Sequence, residues 1–463
     1  MKDTKIKNFT QELETIEQFE NYKNQKVIIE NCDGEAFITK SKRNFKLSFD
    51  GIFCYKSDKK IKVHINSTEF IFKSIDFKEP INEVFANVPC QHTFDIDTVF
   101  KGSLDEVCLF RMFFFDNSKT TNIFHTKLGS VNSEGNNTDA RASIRLTVNS
   151  HIYNISQHKN NSKSYFVIEN LEPTSLKEFE EDSYAIQKGV GFLIGFMPGG
   201  ENYIFSGENF VYRRLSRKSL KSIFYPVTSN PYSKLHKQRE IADSYYGKLK
   251  VIPTDVISDF VSQLRNNEDF SVAIIFLMEV TSLKSVVSMP GVFSVILESL
   301  ANIIVIKQNK LEKLVTDKQL VEDIITDLNA VIDLHASKIN PDAEIKIRRR
   351  ISDLNKPINH NRLTNAEKLR APFDQLNIKL SQEDEKAIDY RNDLLHGNIL
   401  MNDEIKRTSE EIDSQMLYVS AKLYTLISKL VLKNSGYNGY VINHAKFYKQ
   451  SPITSKDEYF EVI

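Results

Sequence analysis

The chain contains no tryptophan, and only 16 glycines and four cysteines among 463 residues. The cysteines, Cys32, Cys54, Cys90 and Cys108, fall in the first quarter and form no Cys-x-x-Cys pair. That spacing excludes the common pattern of a structural zinc site and leaves small buried hydrophobes in strands as their expected role. Charge of one sign is also missing, with 61 Lys plus Arg against 61 Asp plus Glu. A generally polybasic nucleic-acid or membrane binder would show an excess, so only a local basic site remains open. Long apolar runs are absent too. Phe270–Val280 is short, Gly291–Ile306 is interrupted by Glu298 and Asn302, and a bilayer span needs about 18–20 apolar residues. Met1–Asn24 is polar and charged, with no apolar signal-peptide core, so a cytoplasmic protein without membrane contact is expected.

Several chemistries lack their motifs. No His-Glu-x-x-His and no Gly-x-Ser-x-Gly occurs, which removes the usual footholds for a zinc peptidase or a hydrolase elbow. Gly189-Val190-Gly191 with Gly195 has neither the GxGxxG spacing nor a Walker Lys-Ser pair, so no nucleotide loop is read there. No cofactor is expected.

What is present is an ordinary globular composition, 41% hydrophobic and 26% charged, long enough for more than one domain. Val27–Glu30, Glu35–Thr39, Phe45–Phe49, Ile61–Ile65 and Glu69–Phe72 are short β-branched or aromatic runs. Turn residues such as Asp33-Gly34 and Asp50-Gly51 separate them. Val107–Phe115, Ser143–Val148, Ser164–Ile168 and Tyr203–Ser206 continue the pattern, with a helix predicted over about Thr174–Gln187 and a return through Gly189–Phe196. Strands so spaced favour a sandwich or barrel.

From about Ile252 the period becomes helical. Val256, Ile257, Phe260, Val261 and Leu264 form an i, i+3, i+4 stripe behind Thr254. Further helices are predicted over Asp269–Leu283, Met289–Gln308, Lys318–Ala336, Asp342–Leu354, Ser381–His396 and Asp403–Lys433, with a strand pattern returning around Tyr440–Phe447. The expected fold is therefore α+β and multidomain. A β-rich, sandwich-like N-terminal domain over residues 1–245 precedes an all-α C-terminal domain over 246–463.

Two basic clusters stand out. Arg213, Arg214, Arg217, Lys218 and Lys221 place five cations in nine residues, and Arg348-Arg349-Arg350 falls towards the end of the helix predicted from Asp342. Either could grip a nucleic-acid backbone through bidentate guanidinium contacts. Equally, either could be a solvated face, and the second could complement a helix C-terminus.

The sharpest signal is Asp389-Tyr390-Arg391-Asn392-Asp393-Leu394-Leu395-His396-Gly397. Ser381 with Asp384 reads as a variant capping box, and Gly397 as the residue after the helix end. Ala387, Ile388, Leu394 and Leu395 define one apolar arc with Arg391 in its middle. A guanidinium there is costly unless it is paired or faces a cavity. His396 lies about 140° from Arg391 around an ideal helix, on the side of Asn392. The pair therefore needs a reaching Arg391, an unwound last turn, or a second copy. A helix C-terminus would favour the protonated imidazole. A structural ion pair for Arg391 and an ordinary capping role for His396 fit the same spacing.

Arg391 to His396 resembles the R-x4–6-H motif of HEPN ribonucleases. Lys368-Leu369-Arg370-Ala371-Pro372-Phe373 and Leu380-Ser381 are similar to the approach to that motif in ApeA-like anti-phage proteins. The layout of Gly34-Glu35-Ala36-Phe37 and Phe45-Lys46-Leu47 in a β-rich front region is similar as well. The resemblance implies metal-independent RNA cleavage in a homodimer, with Arg391 on the scissile phosphate, His396 as general base or acid, and Asn392 orienting either. It further implies an abortive-infection effector that cleaves host RNA, tRNA among the candidates, on a phage-derived trigger. Arg348, Arg349 and Arg350 are the candidate RNA contacts, and His335, His360 and His444 are further possible ones. Two other readings stay open. One is a non-catalytic HEPN-like dimerisation module beside a ligand- or protein-binding β domain; the other is a structural protein in which Arg391 pairs with a neighbouring acid.

Overall fold

The computed structural model describes residues 9–30, 32–41, 44–52, 60–74, 90–116, 126–131, 137–160, 163–228, 238–305, 317–352, 365–395, 408–447 and 458–463. The polar start holds an unexpected helix, α1 (Thr10–Glu20). Leu13, Ile16 and Phe19 recur at i, i+3, i+6 and are buried together with Phe9 just before them. The five expected early strands follow as β1 (Gln25–Ile29), β2 (Asp33–Ser41), β3 (Asn44–Ile52), β4 (Lys60–Ile65) and β5 (Thr68–Lys73). Next come β6 (Cys90–Asp95), β7 (Thr98–Lys101), β8 (Arg111–Phe115), β9 (Thr126–Val131), β10 (Asn137–Val148), β11 (His151–Asn160) and β12 (Lys163–Asn170).

Helix α2 (Leu176–Ile194) precedes β13 (Phe196–Met197), β14 (Glu201–Ser206), β15 (Asn209–Arg214) and β16 (Leu220–Lys221). The expected return of the chain over Gly189–Phe196 does not occur: α2 runs on to Ile194, and Gly195 caps it at φ 73°. Glycine is the natural residue for that left-handed cap. A Cβ on Gly189 would stand 2.7 Å from Val261 Cγ2, so Gly189 serves close helix packing.

Among the described residues, fourteen strands form one antiparallel sheet in the order β6-β3-β2-β1-β4-β5-β7-β15-β14-β8-β12-β11-β10-β9. The expected sandwich is thus corrected in its connectivity. Two arms face each other, but they belong to one sheet joined at β1, whose residues 25–27 pair with β2 while Ile28 and Ile29 pair with β4. Such a shared strand is how a sheet turns a corner. The arms meet across α1. Phe45 on β3 lies 5.9 Å ring to ring from Tyr212 on β15, and the buried Lys40 Nζ on β2 is 2.5 Å from Glu201 Oε2 on β14.

The opposite face of the sheet is also covered. Phe113 joins the α1 core, while its neighbours Met112 and Phe114 are buried on the other side, as a period of two requires. The buried Asp182 of α2 accepts a 2.7 Å hydrogen bond from Tyr153 of β11, and the Phe110 and Phe179 rings lie 5.2 Å apart.

Helices dominate the remainder: α3 (Arg239–Tyr245), α4 (Thr254–Asn266), α5 (Glu268–Leu283), α6 (Ser288–Ile304), α7 (Lys318–His335), α8 (Pro341–Ser352), α9 (Asn365–Gln375), α10 (Gln382–Leu395), α11 (Ser409–Asn434) and α12 (His444–Phe447). Their tail strands β17 (Tyr440–Ile442) and β18 (Phe460–Val462) pair with each other. A β-rich first part and a helical second part make an α+β chain.

The compact units divide the chain differently from the change of secondary structure near residue 245. One unit holds Met1–Ser299 with Ser381–Ile463, the other Leu300–Leu380. In the first, α4 carries its predicted stripe, all five residues buried, and is tied to β10 by Thr147 N donating to Ser258 Oγ at 3.0 Å. In the second, α7 is bridged to α8, and Gln375 Nε2 of α9 donates to Ile304 O at 2.9 Å. Among the described residues, no helix is long and apolar enough to cross a membrane. Cys32 and Cys108 are free thiols; Cys54 and the Cys90 side chain lie outside the described residues.

Candidate functional site

Helix α10 begins as its sequence predicts. Asp384 N donates to Ser381 Oγ at 3.1 Å and Ser381 N donates to Asp384 Oδ2 at 3.0 Å, so two otherwise orphaned amides are satisfied reciprocally. Ala387 and Ile388 are buried on the expected arc. Arg391 follows Asp384 by seven residues, which places the two Cα positions within about 20° of each other around the helix. The backbone position of Arg391 therefore continues the stripe that begins at Asp384. Arg391 and Asn392 belong to α10; their side chains, and the whole of His396, lie outside the described residues.

The foot of this helix is held by a buried charge network that the sequence reading missed. Asp384 Oδ1 is 2.7 Å from Lys422 Nζ, and Asp384 Oδ2 is 3.9 Å from Lys429 Nζ. Glu461 of β18 completes the set, 3.6 Å from Lys422 and in direct contact with Lys429. Asn443 Nδ2 donates to Glu461 Oε1 at 2.6 Å. Burial pushes the Asp384 carboxyl up, but the two ammonium groups outweigh it and hold the group below its ordinary value. A visible signal existed. Lys422 and Lys429 are seven apart, hence on one face, inside a run of α11 buried from Tyr418 to Leu432. Two lysines so placed demand acids.

The arginines proposed for RNA separate into two kinds. Arg348 is engaged within its own unit: its guanidinium bonds Glu344 at 2.8 Å, Asn329 at 3.3 Å and Asp333, bridging α8 to α7. Those two carboxylates raise its pKa further. Arg349 and Arg350 are exposed, and neither side chain bonds a described residue. The three arginines of the earlier basic cluster are neutralised in place, whereas Lys218 and Lys221 are exposed. Arg213 pairs with Glu180 at 2.8 Å, Arg214 with Asp95 at 3.5 Å, and Arg217 with Glu279.

Of the three histidines, His444 is buried with Nε2 2.8 Å from Tyr225 O and its ring beside Phe224 and Tyr424. It is a packing residue. His335 is exposed at the end of α7, and His360 lies outside the described residues.

No protein-family model, curated protein or solved structure matches the chain.

Proposed function

We propose that this chain is a HEPN-like, metal-independent endoribonuclease that acts as a homodimeric, cytoplasmic anti-phage effector. The observation that carries the reading is Arg391 standing five residues before His396, on the continuation of a buried stripe of a helix fastened at its other end. A guanidinium in that position is tolerable where the stripe meets a twin and opens a pocket for phosphate. The ion network at Asp384 would give such a pocket a rigid support, which catalytic geometry requires.

In this mechanism Arg391 binds the scissile phosphate and offsets the charge that develops on its oxygens. His396 takes the proton of the ribose 2′-OH as that oxygen attacks phosphorus, and Asn392 orients the imidazole or the phosphate. The phosphorus bond to the 5′ oxygen breaks and that oxygen takes up a proton, leaving a cyclic phosphate. No cofactor enters. RNA, tRNA among the candidates, is the substrate, and the β-rich region senses a phage-derived trigger or restrains the nuclease.

One observation favours the competing reading of a non-catalytic HEPN-like dimerisation module beside a binding β domain. Arg213, Arg214, Arg217 and Arg348 are all spent on acids, which removes four of the arginines that could have gripped an RNA backbone. The test is RNA cleavage and growth arrest by wild type, Arg391→Ala and His396→Ala. Cleavage lost in both variants upholds the ribonuclease. Normal cleavage in both, or full anti-phage protection by the double variant, gives the competing reading.

A further inference from the structure

A second polar centre lies away from α10, in a cavity of about 540 Å³ between α2 and α5. Lys188 of α2 lines it and is buried. Its Nζ touches Ser271 Oγ and sits 4.4 Å above the Tyr184 ring. Ser271 lies in the first turn of α5, fixed by its amide donating to Asn267 O at 3.0 Å and by the Asn267 cap on Phe270 N.

The surrounding charges explain why this lysine differs from the other buried ones. Arg217 and Arg265 share the cavity wall, but each already has its acid: Arg217 holds Glu279, and Arg265 holds Glu181 and, at 2.8 Å, Asp182. Glu268 faces the same space from the exposed start of α5. Among the described residues, no carboxylate pairs with Lys188. Burial, then Arg265 and Arg217, pull its pKa down to about 8, so roughly a tenth is neutral amine at pH 7 and about half at pH 8. By contrast Lys40, Lys422 and Lys429 all face carboxylates.

We propose that Ser271 and Lys188 form a nucleophile–base pair that accepts an acyl ester in this cavity. A serine hydroxyl in contact with a buried, acid-free amine is the arrangement that serine–lysine catalysts use. The neutral Lys188 amine takes the Ser271 proton as Oγ bonds to the acyl carbon. The ester C–O bond breaks and the departing alkoxide receives that proton. Water then repeats the exchange on the acyl-serine and releases the acid. Phe276, Val272 and Ile275 line the same cavity and provide an apolar wall for the acyl group. This proposal is independent of the RNA reading.

The experiment treats the full-length protein with a fluorophosphonate probe from pH 6 to pH 10 and maps the adduct by peptide mass spectrometry. The expected result is an adduct on Ser271 whose rate rises with pH through a midpoint near 8. Ser271→Ala should abolish it, and Lys188→Met should slow it at least ~100-fold with an unchanged circular dichroism spectrum. Should Lys188→Met fail to fold, Lys188→Arg replaces it, since a guanidinium keeps the charge and cannot act as the base. No adduct on Ser271 at any pH, or equal labelling without the lysine amine, overturns the proposal.

Discussion

Lys422 Nζ stands 2.7 Å from Asp384 Oδ1 with both side chains buried, joining the first turn of α10 to the middle of α11. The pair lies about two turns before Arg391 on the same helix, and it ties the start of that helix to α11. Removing one partner leaves an uncompensated buried charge, which is far worse than removing both.

Asp384→Ala should therefore destabilise the protein by about 3–5 kcal/mol, read as a shift in the urea midpoint. Replacing Asp384 and Lys422 together by leucine and methionine should recover most of that loss, since both desolvated charges leave at once.

The same carboxyl predicts an acid dependence. Its folded pKa lies below the ordinary value, so its stabilising contribution is complete above the unfolded pKa of about 3.9 and declines as pH falls through the lower folded value. Wild type should lose stability over that acidic window more steeply than Asp384→Asn, compared by thermal melting from pH 6 to pH 2.

Phe19 of α1 touches the rings of Tyr22, Phe45, Phe70, Tyr203 and Phe210, so it packs against both arms of the sheet at once. Phe19→Ala should cost about 3–5 kcal/mol, and hydrogen exchange should reveal loosening of β3 and β15 together. Exposure of one arm alone would mean that α1 does not hold them jointly.

If the chain acts on RNA, its affinity must be local, because the overall charge is balanced. Arg349→Ala and Arg350→Ala should each lower the salt slope of binding to a single-stranded RNA by ~0.7. Arg348→Ala should leave the slope unchanged and instead weaken the α7–α8 pairing, because that guanidinium is committed to Asp333 and Glu344. The contrast can be read by filter binding at several salt concentrations.

Much of the fold was written in local periodicity. The α4 stripe from Val256 to Leu264, the Ser381–Asp384 cap and the early strands β1 to β5 need only neighbouring residues to be recognised. Strand β11 was harder. Its hairpin to β10 turns at Asn149-Ser150, both at positive φ, where sequence intuition waits for a glycine. Helix α1 hid because Glu and Gln separate its three buried residues and make the segment look like a solvated terminus. The contacts of Lys188 and Asp384 were out of reach in detail, since Ser271 is 83 residues from its lysine and Lys422 belongs to another helix. The pairing of Arg213, Arg214, Arg217 and Arg348 with acids was hidden for the same reason: a run of cations shows in one line of sequence, whereas most of its counter-charges come from elsewhere.

The larger compact unit is assembled from two stretches of chain, Met1–Ser299 and Ser381–Ile463. During synthesis the first stretch leaves the ribosome with the places of α10, α11 and β18 empty. Asp384, Lys422, Lys429 and Glu461 meet only once Glu461, the last of the four in chain order, has emerged. Local contacts cannot hurry this closure, because the loop between the two stretches must be made first. The helix that carries Arg391 is thus fastened only after the whole smaller unit, Leu300–Leu380, has been made and Glu461 of β18 has followed it.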